Sequence, residues 1–292
     1  MKRVLFFLAL LLCLAPLTAR AGILGPEKIT RDTDYSREKG EFSAAIVVDV
    51  ESGMILYEYE GLKAWPAASL TKLMSALVYL DNQAPDGTVV ALISADEVGG
   101  GRLRVASGAK LTTQDLIYSS ITASANNAAM ALARLSGLGV KKFLGAMNAK
   151  AEAFEMRHTT FVDAAGIDPA NLTCARDLAK LAWRAFDNSW IRKTATTAQY
   201  RFKIRNTGEM KTIKTTNALL VDPQYNDVFV TGGKTGYLEE SQYNLAVRMR
   251  PMEAVGNDDR HVLVVVLGAP SRDASFASAG ALAKWVWDVY KW

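Results

Sequence analysis

Hydrophobic periodicity changes twice along this chain, and that double change restricts the fold more than any other feature. Near the N-terminal end, "SAAIVVDVESGMILYEYE" holds β-branched and aromatic residues in two short runs, 43–50 and 54–59, joined through Glu51-Ser52-Gly53. From Ser69 to about Ala195 the apolar residues recur every three or four positions, in "TTQDLIYSSIT", "NNAAMALARLSG", "VKKFLGAMNAKAEAF" and "CARDLAKLAWRAF". That is the spacing of amphipathic helices. Short extended pieces such as "TVVALIS" interrupt them. The last third returns to strand character in "YRFKIRN", "VFVTGGKTGY", "QYNLAVRMR" and "HVLVVVLGA", and a helix over about 274–290 closes the chain. Strands at both ends must share a sheet to bury their apolar faces. The reading is therefore α+β: a mainly antiparallel sheet flanked by helices, with a mostly helical second lobe.

The first residues point to export. Lys2 and Arg3 precede an unbroken apolar run from Val4 to Ala15, Pro16 ends it, and Ala19-Arg20-Ala21 offers small residues around a cleavage site. This layout predicts a signal peptide over 1–21 and a periplasmic or secreted mature chain beginning at Gly22. A spanning helix would need about 20 apolar residues, and Cys13 lies inside the run, so neither a membrane nor a lipid anchor is expected. Residues 22–42 read as a polar lead and 43–292 as one domain with two lobes.

Cleavage would remove three of the 34 basic side chains, nearly balancing the 30 acidic ones. Such a charge gives no reason to expect nucleic acid or a polybasic membrane patch as partner. Cys174 would be the single remaining cysteine, which excludes an internal disulfide and reads as a buried, inert thiol in a helix. Two histidines, His158 at a helix end and His261 opening a strand, stand in no metal-binding cluster. A hydrolytic mechanism would have to manage without histidine, metal or cofactor.

One charge is out of place. In "WPAASLTKLMSALVYL", Lys72 sits among Leu70, Leu73, Met74, Ala76 and Leu77, three residues after Ser69. On a helix that spacing puts the two side chains on one face, about 5–6 Å apart at Cβ. Serine needs a base to become a nucleophile, and an ordinary lysine, with a pKa of about 10.4, is already protonated. Burial and a second nearby cation would both free the amine. The chain offers the companions. "TASANN" places Ser124 and Asn126 just before a helix, and "VTGGKTGY" puts Lys234, Thr235 and Gly236 at the end of an apolar strand, where glycine lets a substrate approach the backbone. Ser69 at a helix start would also expose an N–H suited to an oxyanion hole.

SxxK, SxN and KTG in this order match the active-site-serine pattern of penicillin-binding proteins and class A β-lactamases. Together with "FVDAAGIDP", "TCARDLAKLA", "TTNALL" and "VVVLGAPSRDA", they make the chain resemble the serine-type D-alanyl-D-alanine carboxypeptidases, low-molecular-mass penicillin-binding proteins of peptidase family S11, from about Ser43 to Tyr290. The resemblance implies a DD-peptidase/β-lactamase-like fold, with a transpeptidase-like catalytic domain over 43–292. It implies Ser69 as acyl-forming nucleophile, Lys72 as its base and Ser124 as proton relay to the leaving amine. Asn126 would hold the substrate's acyl amide and Lys234 keep the site electropositive. Thr235 and Gly236 would line the peptide strand, Tyr237 would share the oxyanion hole with Ser69, and Arg272 would bind a terminal carboxylate.

The implied partners are peptidoglycan stem peptides, with β-lactams as covalent inhibitors. Release of a terminal D-alanine is the expected reaction, and cutting of cross-links is the alternative. Two other readings are weaker. "FVDAAGIDPANLT" contains no glutamate of the kind a class A β-lactamase uses for deacylation, and a non-catalytic wall-peptide binder need not keep the nucleophile–base pair.

The chain departs from the family in two places. Asn127 stands where the family usually has Asp, and the chain ends at Trp292, where many members continue into a β-rich domain and a membrane-binding helix. Neither extension is expected here. Trp183, Trp190, Trp285 and Trp287 read as packing, Gly99-Gly100-Gly101 as a turn, and "LEESQYN" as a solvated turn.

Overall fold

Two short apolar runs at the N-terminal end form adjacent strands, β1 (Ala44–Asp49) and β2 (Ile55–Tyr59). The turn between them is tied by Asp49, whose Oδ2 accepts from the Ser52 N–H at 2.8 Å, and Gly53 supplies a φ of +74°. The computed structural model describes residues 25–30, 40–254 and 260–292. The expected signal peptide and most of the 22–42 lead lie outside them. The last third supplies β3 (Val228–Leu238), β4 (Gln242–Pro251) and β5 (Val262–Ala269). The sheet order is β3-β4-β5-β1-β2, antiparallel throughout, so β5 joins the two ends of the chain with Val265 opposite Ile46.

The pleat of the sheet divides two cores. Ile46, Leu263 and Val265 face the helical lobe, whereas Val47, Val264 and Val266 face the closing helix α7 (Arg272–Val289) through Phe276, Leu282 and Val286. The lobe is built from α1 (Thr71–Asn82), α2 (Thr113–Ile121), α3 (Asn126–Leu135), α4 (Val140–Ala153), α5 (Ala175–Asp187) and α6 (Ser189–Ala195). α5 lays Leu178, Leu181, Ala182 and Ala185 toward the core, the wide apolar stripe of a helix packed on a sheet. α1 is enclosed on all sides, with every residue from Thr71 to Tyr79 buried. A capping box starts α2: Thr112 Oγ1 accepts from the Asp115 N–H, and Asp115 Oδ2 accepts from the Thr112 N–H. Such a cap contributes about 1 kcal/mol.

Three local readings change. Ser69 lies not at the first turn of α1 but in a separate 3₁₀ turn, Ala68–Leu70. Cys174 is buried but precedes α5 instead of lying within it. A strand at Met210–Lys214, paired with Gln199–Lys203, has no counterpart in the sequence reading. Only Ile213 of its residues is buried, so it carries no apolar face to read. The four tryptophans do pack, Trp183 and Trp190 against the lobe core and Trp285 and Trp287 on the α7 side.

Candidate active site

The segment before α1 is held from several directions. Ala67 N–H donates to the Asn171 carbonyl at 2.7 Å, and Trp65 Nε1 donates to the Ser241 carbonyl at 2.9 Å. Asn244, buried in β4, donates through Nδ2 to the Pro66 carbonyl and accepts the Gly268 N–H on Oδ1. These ties keep Ala68 at φ +49°, a left-handed conformation that costs an L-residue about 1–2 kcal/mol. The next residue, Ser69, is half-buried while Ala68 and Leu70 are fully buried. β3 passes so close that a Cβ on Gly236 would meet Ala68 Cβ and the Ser69 nitrogen at 3.2 Å. A side chain at 236 would press on that turn, and glycine leaves room for the approach.

Lys72 points back along α1. Its Nζ contacts Ser69 Oγ at 2.7 Å, Asn126 Oδ1 at 2.7 Å and the Ala165 carbonyl at 2.5 Å. Full burial lowers its pKa from 10.5 to about 7, and the charge of Asp163 works against that lowering. The second cation expected from the sequence, Lys234, is present, and repulsion between the two buried amines disfavours charging both. Lys234 is itself only 1% exposed, and burial, followed by repulsion from Lys72, pushes its pKa well below the ordinary lysine value.

Lys234 Nζ donates to Ser124 Oγ at 2.7 Å and to the Thr235 carbonyl at 2.8 Å. Ser124 sits between α2 and α3 with φ +56°. Two non-glycine residues in left-handed backbone, Ala68 and Ser124, thus flank one cleft. Stored strain of about 1–3 kcal/mol per residue is a mark of functional sites.

The cleft, of about 670 Å³, takes in Ser69, Ser124, Asn126, Thr235, Gly236, Tyr237 and Arg272. Lys72 and Lys234 lie beneath its floor. Tyr237 is half exposed and its ring packs on Tyr243 at 4.5 Å between centroids. Arg272, the first residue of α7, is exposed and donates from Nη2 to the Thr216 carbonyl, and Thr216 in turn shares a 2.6 Å hydroxyl contact with Thr235. Asn126 is engaged at both ends, accepting from Lys72 and donating through Nδ2 to the Gly99 carbonyl. A substrate amide would have to share those atoms.

Some residues of the site are not apparent from the sequence. Gly100 and Gly101 line the cleft, and Asn127 holds their loop: its Oδ1 accepts from the Leu103 N–H, and its Nδ2 donates to the Leu103 carbonyl and to Glu97 Oε1. An aspartate could not make the last two contacts, so the asparagine matches the glutamate opposite it. Asp163, Ala165 and Gly166 form a second loop beneath Ser69. They belong to the "FVDAAGIDP" segment, but their contact with Lys72 could not be read there, because a backbone carbonyl on an amine has no sequence signal. Cys174 takes no part; burial pushes its thiol up to about 11.

Chemically, a neutral amine touching a serine hydroxyl can take its proton, and a second amine–serine pair across the cleft can return one. The family model described as D-alanyl-D-alanine carboxypeptidase, Peptidase S11, matches residues 32–271. A curated D-alanyl-D-alanine endopeptidase of Pseudomonas aeruginosa is 30% identical over 83% of this chain and 76% of its own length. A D-alanyl-D-alanine endopeptidase of Escherichia coli is 29% identical over 97% of this chain and 87% of its own. The crystal structure of the Streptomyces K15 DD-transpeptidase aligns with a TM-score of 0.76 at 27% identity, covering 89% of this chain and 100% of that one.

Proposed function

This chain belongs to the D-alanyl-D-alanine carboxypeptidase family, peptidase S11, and is a serine-type D-Ala-D-Ala peptidase; from that premise we propose that it acts chiefly as an endopeptidase, cutting D-alanyl cross-links between peptidoglycan stem peptides. The observation that carries the chemistry is the pair of 2.7 Å contacts, Lys72 on Ser69 and Lys234 on Ser124, within one cleft.

Ser69 Oγ attacks the carbonyl of the D-alanine on the acyl side while Lys72 takes the hydroxyl proton. The oxyanion sits between the N–H groups of Ser69 and Tyr237. Ser124, bonded to Lys234, hands its hydroxyl proton to the departing amine and is reprotonated by the proton that Lys72 took, which restores the neutral Lys72 amine. Water then attacks the acyl-serine, and Lys72 takes its proton and returns it to Ser69 Oγ as the acyl bond breaks. Thr235 and Gly236 offer the strand on which the stem lies. Arg272, exposed at the cleft, pairs with the carboxylate beside the scissile amide, which a terminal D-alanine and the acceptor residue of a cross-link both carry.

One thing supports cross-link cutting over release of terminal D-alanine: both curated relatives described above bear the endopeptidase name. The carboxypeptidase reaction is the second reading, favoured by the family's own description. The substrate lies outside the cytoplasmic membrane, which suits the signal peptide expected over 1–21. β-Lactams acylate Ser69 and stay attached: the loop after Phe161 offers Asp163 in place of a deacylating glutamate, and both its carboxylate oxygens are occupied by backbone N–H groups.

Digestion of purified sacculi and separation of the muropeptides tests the choice of reaction. Dimers should fall to monomers with little free D-alanine. Free D-alanine from pentapeptides with dimers intact would return the assignment to carboxypeptidase.

A further inference from the structure

The 163–168 loop is folded around one carboxylate. Asp163 Oδ1 accepts the N–H groups of Ala165 and Gly166, each at 2.6 Å, and Oδ2 accepts those of Ile167 at 3.1 Å and Asp168 at 2.9 Å. Asn171 secures the loop from behind. Its Oδ1 accepts from the Val162 and Asp163 N–H groups, while Nδ2 donates to the Asp163 carbonyl and to Thr71 Oγ1 on α1. Ser75, further along α1, donates to the Ala164 carbonyl at 2.6 Å. The loop is thus fastened to α1 on both sides of Lys72, and between those fastenings the Ala165 carbonyl meets Lys72 Nζ.

That carbonyl matters because of what a neutral amine can offer. It has two N–H bonds and one lone pair. The Ala165 carbonyl and Asn126 Oδ1 are acceptors only, so they take both N–H bonds and leave the lone pair facing Ser69 Oγ. Remove either acceptor and the amine can rotate an N–H toward the serine, where it cannot serve as a base.

We propose that Asp163 is a positioning residue for the general base: its carboxylate holds the Ala165 carbonyl on the Lys72 amine, and its charge sets the pH above which Ser69 is acylated. This rests on the reading of Lys72 as the base. The groups facing Lys72 are Ser69 on the adjoining turn, Asn126 on α3, the Lys234 cation on β3, and Asp163 with the Ala165 carbonyl on the loop. Asp163 is the negative charge among them, and it holds the ammonium form up against burial. Gly166 lets this loop lie against the nucleophile turn, since with φ +74° a Cβ there would run into the Ala68 carbonyl.

Acylation by a chromogenic cephalosporin, measured from pH 5 to 9, tests the two halves separately. Asp163→Asn keeps an acceptor for the Ala165 and Gly166 N–H groups, removes the charge and turns an amide NH2 toward the Ile167 and Asp168 N–H groups. The acid limb of its rate profile should move to lower pH by about half a unit or more, whatever the height of its plateau. Asp163→Glu keeps the charge but shifts the loop. Its limb should stay in place while the plateau falls about tenfold or more. A limb that moves by less than about half a unit in Asp163→Asn, short of what a nearby charge should produce, would overturn the proposal, as would an unchanged plateau in Asp163→Glu. Lys72→Ala in the same assay isolates the premise. If the wild-type limb survives in it, the base has been misassigned, whatever the Asp163 variants do.

Discussion

Replacing Lys72 by methionine should make the protein more stable at neutral pH and catalytically inert, and the stability gain should reverse in alkali. Burial takes the Lys72 pKa from 10.5 to about 7. Between those values the unfolded chain binds a proton that the folded one does not, so the wild type gains stability as pH rises through that window. Below pH 7 both states carry the proton and the penalty is constant. At 1.36 kcal/mol per unit, the penalty is about 5 kcal/mol at pH 7 and vanishes near the pKa of an unfolded lysine.

Methionine has nearly the length of lysine and no charge to desolvate. It leaves Ser69 Oγ, Asn126 Oδ1 and the Ala165 carbonyl without their donor, at about 1 kcal/mol each. The variant should therefore be about 2 kcal/mol more stable than wild type at pH 6–7 and less stable by pH 10. Its acylation rate should fall by about 10²–10⁴, the usual loss with a positioned base. Urea unfolding of both proteins at pH 6, 8 and 10, with penicillin acylation at pH 8, measures both effects. A stability difference that is the same at pH 6 and pH 10 would refute the reasoning, because Lys72 would then hold its proton equally in both states.

Ser69→Ala should abolish the covalent penicillin adduct in intact-protein mass spectra while leaving the unfolding midpoint in place. Lys72→Arg should be nearly as inactive as Lys72→Ala in the same acylation assay, since a guanidinium keeps its proton. Asn127→Asp sets a carboxylate against Glu97 Oε1 and the Leu103 carbonyl. It should cost about 1–3 kcal/mol at pH 7. Like charge raises the pKa of that carboxyl pair, so the loss should shrink as pH falls toward 4, read as converging thermal midpoints. Gly166→Ala should lower the melting temperature, at a cost of about 2 kcal/mol or more, and slow acylation, because the added methyl displaces the Ala68 carbonyl that carries the nucleophile turn.

Much of this was legible in the chain, for reasons of periodicity. α5 has apolar residues at helical intervals, and β1 and β5 are short apolar runs rich in β-branched residues, the mark of strands buried on both faces. Lys72 could be singled out because an ammonium among leucines conflicts with its neighbours, and such conflicts collect at functional sites. The strand at Met210–Lys214 escaped because its residues are mostly exposed and leave no pattern. The 3₁₀ turn at Ser69 escaped because a left-handed alanine carries no compositional mark.

The sequence by itself determined which elements form, that the strands at the two ends share a sheet, and the family to which the motifs point. All of these follow from residue types at fixed spacing along one segment. Only the tertiary structure decided how the Lys72 amine is held. The Ala165 carbonyl, the Asp163 carboxylate and the Asn126 amide reach Lys72 from loops and helices far away in sequence, and a carbonyl is present at every residue. Tertiary structure also decided how the two amines are perturbed. Lys72 and Lys234 are alike as letters; burial lowers both first, and Asp163 opposes that at Lys72 whereas Lys72 adds to it at Lys234, because of what the packed molecule sets beside each one.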